Sequence, residues 1–119
     1  MRILGFEREW PKLFNAEFMT FRRPRLDRDW AAGEEVQIVI HPRSKERKIL
    51  GIAQIISSEL RELDPYFIEI APLTTEAEAQ ADGFDSYADM VRWMEKKYGL
   101  DYISLFNKLT LRWKDGENI

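Results

Sequence analysis

The chain has 119 residues, a net charge of −3, a single histidine and no cysteine. That length supports one domain, residues 1–119, with a core of its own. The missing cysteine excludes disulfides, thiolate metal sites and cysteine nucleophiles, and the lack of any run of about 18 apolar residues excludes a helical membrane span. Charge is unevenly placed: residues 1–48 carry a net +3 and residues 49–119 a net −6. The basic half holds two clusters, Arg22/Arg23/Arg25/Arg28 and Arg43/Lys45/Arg47/Lys48. Clusters of this kind attract phosphodiesters locally even on an acidic protein, and they also serve as solvated faces or hairpin tips.

In chain order, Ile3-Leu4-Gly5-Phe6 predicts a short first strand. The N-terminal Met1–Glu9 lacks the apolar core of a signal peptide, so a cytoplasmic location is expected. Pro11 suits the first turn of a short helix whose apolar face is Trp10, Leu13 and Phe14. Thr20-Phe21-Arg22 is β-type and runs into Pro24, which holds Arg23 extended. Asp29 to Glu35 is a turn, and Val36 to Ile40 alternates as a half-buried strand. Pro42 to Lys48 is a polar hairpin loop. Ile49 to Ile56 is apolar on both faces, a central strand in which Gly51 marks a bulge. Tyr66 to Ile70 predicts another short strand.

Two capping boxes follow. Thr75-x-x-Glu78 opens a helix that Gly83 stops, and Ser86-x-x-Asp89 opens a second that Gly99 stops. In the second, Tyr87, Met90, Val91, Met94 and Tyr98 share one face, the pattern of a core-facing helix. Alternation of Leu109, Leu111 and Trp113 gives a last strand. Strands at both ends with late helices imply an α+β fold, a small, partly closed β-barrel with peripheral helices.

Several chemistries are absent. His41 stands alone beside Pro42, with no G-x-S-x-G elbow to complete a triad. There is no Walker A loop and no G-x-G-x-x-G. Glu76 and Glu78 serve a helix start. What remains is Glu17, Thr20, Arg22, Arg23 and Arg25, interleaved with Trp10, Phe21 and Trp30. Guanidinium forks grip phosphate and aromatic rings stack on unpaired bases, so this set suits a nucleic acid.

The order Ile3-Leu4-Gly5-Phe6, short helix, Thr20-Phe21-Arg22, Gly33-Glu34-Glu35-Val36, Leu50-Gly51-Ile52-Ala53, Gly83-Phe84-Asp85-Ser86 resembles an ASCH domain of the PUA-like superfamily. The resemblance covers nearly the whole chain. It implies a small β-barrel with a cleft beside the first motif, G-x-K-x-x-T-x-R, and a role in binding RNA. One branch of the family hydrolyses the amide of N4-acetylcytidine with a lysine of that motif, its threonine and a later acidic residue. Thr20 and Arg22 match the motif, while Glu17 stands at the lysine position and Asn15 at the glycine position. Asp82 matches the acidic residue.

Three readings follow. In the first, a binding module without metal or cofactor holds RNA or a nucleotide-like ligand with Glu17, Thr20, Arg22, Arg23, Arg25 and Trp30, the 43–48 hairpin forming the rim. In the second, a small hydrolase of modified nucleosides uses Glu17, Thr20 and Asp82. In the third, the arginines pair with Asp27, Asp29, Glu34 and Glu35 and bind nothing.

Overall fold

The computed structural model describes residues 1–63, 71–99 and 104–114. Among these residues five strands form one mixed sheet: β1 (Arg2–Phe6), β2 (Glu17–Arg22), β3 (Glu35–Ile40), β4 (Lys48–Leu63) and β5 (Ser104–Trp113). Their order is β1-β3-β4-β5-β2. β1 runs parallel to β3, and the other three pairings are antiparallel. Two helices, α1 (Glu76–Asp82) and α2 (Tyr87–Tyr98), precede β5. The fold is thus α+β, but β1 and β2 are the two edges and no ladder joins them, so the sheet is not closed into a barrel. The strand expected at Tyr66–Ile70 lies outside the described residues.

Alternation along β2 divides the interior in two. Phe18 points into a first core with Leu4 and Phe6 of β1, Val36, Ile38 and Ile40 of β3, and Leu109, Leu111 and Trp113 of β5. Met19 and Phe21 point the other way, into a second core with Ala79 of α1, Met90 and Met94 of α2, and Phe106. Successive side chains on a strand face opposite sides, so one short strand can wall both cores. Thr20 is buried on the Phe18 side of that alternation.

β4 runs to Leu63, well past the expected end at Ile56. The ladder register shifts between Ile55 and Ser57, and the extra residue carries the strand from the first core, at Ile55, to the second, at Leu63. Between them lie cross-strand pairs such as Glu59 opposite Lys108, which hide the strand in a hydropathy pattern. The bulge expected at Gly51 is present: Ile38 faces Gly51 and Val39 faces Ile49, leaving Leu50 as the extra residue.

The helix expected after Pro11 is one turn of 3-10 helix, Pro11–Phe14, with Trp10 as its N-cap. Both capping boxes mark real helix starts. The Thr75 hydroxyl accepts from the Glu78 N–H, and the Glu78 carboxylate accepts from the Thr75 N–H. Glu78 also accepts from Lys108 at 2.8 Å and Arg61 at 3.2 Å, which locks α1 to β4 and β5. Ser86 accepts from the Asp89 N–H at the start of α2. Among the described residues no helix is long and apolar enough to cross a membrane.

Candidate functional site

A cavity of about 510 Å³ opens between the two edge strands, where the ladder is missing, and beneath α1 and α2. Gly5 and Phe6 of β1 and Thr20 and Arg22 of β2 line its sides. The edges meet there through side chains: the Phe6 and Phe18 rings lie 6.3 Å apart, and the Arg22 guanidinium sits 4.6 Å from the centre of the Phe6 ring. Gly5 permits a close approach, since a Cβ there would fall 2.6 Å from Pro42 Cγ. Gly83 ends α1 at φ +120°, and a Cβ on it would sit 3.1 Å from the Trp10 ring. A side chain at Gly83 would therefore be both strained and crowded.

Lys12 and Asp82 form one wall. Pro11 starts the 3-10 turn that carries Lys12, and Asp82 is the last residue of α1. The Lys12 ammonium donates to Asp82 Oδ1 at 2.5 Å, to the Asp82 carbonyl at 2.7 Å and to the Met19 carbonyl at 2.8 Å. All three of its N–H groups are therefore committed within the protein. The pair is nearly buried, with side chains 10% and 9% exposed. Burial lowers the lysine's pKa and Arg22 adds to that effect, while Asp82 opposes both.

Arg22 behaves differently. It is half-buried, and burial pushes its pKa down against the pull of Asp82, Tyr98 and Glu7. Arginine nonetheless keeps its charge in proteins. Yet among the described residues its guanidinium makes no ion pair or hydrogen bond, and it packs on the face of Phe6. A cation packed by its face on a ring keeps its N–H edge free. Arg22 is one of the residues that line the cavity. Trp10, Phe84, Trp93 and Tyr98 also line the cavity and supply aromatic surface, with Phe84 and Trp93 5.8 Å apart and Trp93 and Tyr98 6.3 Å apart. Four cations and four carboxylates line the whole, so the cavity has no net charge.

Comparison with family models, with curated proteins and with solved structures finds no match.

Of the residues singled out in the sequence, the structure brings Trp10, Thr20, Phe21, Arg22 and Asp82 to this cavity. Glu17 is not with them. It is exposed at the far end of β2 and accepts from Arg112, its cross-strand neighbour on β5. Arg23 does not line the cavity but stacks on Tyr98 at 4.8 Å. Arg25 is exposed, paired with Asp27. Trp30 is buried in the first core under the Arg2 guanidinium at 4.2 Å, not on the cavity. Residues 43–48 do not line it either. The pairing of arginines with acidic neighbours thus holds for Arg25 and Arg28, and fails for Arg22 and Arg23 among the described residues.

Sequence reasoning missed Lys12, Phe84, Trp93 and Tyr98. A lone lysine after Pro11 carries no signal, because its partners are seven and seventy residues away. One side of α2 borders the cavity and brings Trp93 and Tyr98 to it, whereas helical periodicity assigns Tyr98 to the core. Among the described residues no cluster of three acidic or histidine side chains is placed to hold a metal.

Proposed function

We propose that the cavity binds a nucleotide-like ligand or RNA, as the resemblance to ASCH domains implies. One observation carries this reading: Arg22, a half-buried cation with its hydrogen-bonding edge unclaimed by any described residue, faces an aromatic-lined cavity. Leaving a guanidinium desolvated and unpaired is costly, and a ligand oxygen relieves that cost. The neutral overall charge suits a heterocyclic base, which presents donors and acceptors together, better than a cluster of phosphates. Arg22 donates to a base carbonyl, the Asp82 carboxylate accepts from an exocyclic amine, and the rings of Trp10 and Trp93 stack. The curled sheet, its edges joined through Phe6 and Phe18, is consistent with a PUA-like relative whose barrel is completed by side chains. Tryptophan fluorescence, titrated with ribonucleosides and short RNA, tests the proposal: binding is expected in the wild type and lost in Arg22→Gln. Equal affinity in that variant would overturn it.

A second reading, amide hydrolysis on a modified nucleoside, is favoured by Lys12. Glu17 holds the motif's lysine position in sequence, but Lys12 supplies a lysine beside Asp82 in the same cavity as Thr20. Lys12 holds its proton in the ion pair, so the Asp82 carboxylate is the candidate proton acceptor and the Thr20 hydroxyl the candidate nucleophile. Release of acetate from N4-acetylcytidine, abolished in Thr20→Val and Lys12→Met, is the expected result. No acetate at high enzyme concentration would remove this reading and leave the binding proposal standing.

A further inference from the structure

The mouth of the cavity repeats the arrangement inside it. Arg8 lies 3.6 Å from the centre of the Trp10 ring and Arg23 lies 4.8 Å from that of Tyr98, and both rings line the cavity. Neither guanidinium makes an ion pair with a described residue, whereas most cations elsewhere on the molecule do, Arg2, Arg25, Arg61, Arg92 and Arg112 among them. The carboxylates at the same mouth are largely engaged: Glu7 pairs with Lys97 and Asp89 with Arg92. Trp93 and Tyr98, 40% and 37% exposed, continue the aromatic surface from the cavity out onto α2, with the Lys97 ammonium 4.6 Å from the Trp93 ring.

Stacked arginines with free edges are phosphate forks held in place. Resting on the proposed binding of a base in the cavity, we propose that the ligand is a single strand. One base enters between β1 and β2, and the phosphates on either side of it are held by Arg8 and Arg23. A neighbouring base lies on the exposed Trp93–Tyr98 surface. A free nucleoside would use only the inner part of this site.

Calorimetric titration with the four ribonucleosides and with a mixed-sequence RNA pentamer, at several salt concentrations, tests the inference. The pentamer is expected to bind at least about tenfold tighter than any nucleoside, and only the pentamer should show strong salt dependence. In Arg8→Gln/Arg23→Gln, pentamer affinity should fall by a much larger factor than nucleoside affinity. The slope of log affinity against log salt should drop by about 0.7 for each phosphate that the variant no longer neutralises. Both arginines are exposed, so the variant should keep its fold, and its circular dichroism checks this. A pentamer that binds no tighter than a nucleoside, or a double variant with unchanged pentamer affinity and slope, overturns the strand inference alone. Failure of nucleosides and pentamer alike overturns the reading of the cavity and this inference with it.

Discussion

The Lys12 ammonium grips Asp82 twice, through carboxylate and carbonyl, across seventy residues of chain. It ties the 3-10 turn before β2 to the end of α1 and so holds one wall of the cavity together. Removing one partner of a buried pair strands the other, which costs about 3 kcal/mol. Lys12→Met and Asp82→Asn should each lower unfolding stability in urea by roughly that amount. The double variant Lys12→Met/Asp82→Leu should lose much less than the two combined, because neither charge is left alone.

Arg22 predicts the opposite balance. Its burial is unrepaid by any ion pair among the described residues, so Arg22→Met removes a desolvated charge and keeps the stem that packs on Phe6. Urea unfolding should show a stability within about 1 kcal/mol of wild type, or higher. Ligand binding should be lost. A large loss of stability would mean that the guanidinium serves the fold.

Glu17→Ala should do little. The Glu17–Arg112 pair is exposed on both sides, and pairs of that kind contribute about 0.5 kcal/mol. Unchanged nucleoside affinity, with a stability change too small to separate from wild type by denaturation, is the expected result.

Glu78 sets part of the acid response. Burial alone would raise its pKa, but hydrogen bonds from Lys108 and the Thr75 N–H, with the charges of Lys108 and Arg61, hold it at about 2. A carboxylate whose folded pKa is depressed stabilises the fold above its ordinary value near 4.5. That contribution is lost as pH falls from about 4.5 toward 2. Glu78→Gln keeps the capping box but not the charge. Its urea midpoint should fall at pH 7, and the difference from wild type should close below pH 4.5.

How much a sequence discloses depends on how far each interaction reaches. Thr75 and Glu78 cap α1 within four residues, and Ser86 with Asp89 does the same for α2, so both helix starts are legible. The alternation that turns Thr20 and Arg22 to one side of β2 is equally local. Lys12 is not legible, because nothing near it in the chain tells a buried ammonium from a solvated one. Trp30 misleads for the same reason: set in a turn near charged residues, it reads as a ring that could stack on a ligand, yet Arg2 of β1 covers it. A partly closed arrangement is legible, but which two strands stay unpaired is out of reach, since the same strands fit several orders.

The absence of a ladder between β1 and β2 has a mechanical consequence. Every other neighbouring pair of strands is stitched by backbone hydrogen bonds, but these two are joined by ring contacts and a guanidinium. Rings can slide where a ladder must break. Among the described strands this is the seam that can widen without exposing a paired amide. An occupant of unexpected girth would be admitted by the shifting of Phe6, Phe18 and Arg22, with the rest of the scaffold left rigid.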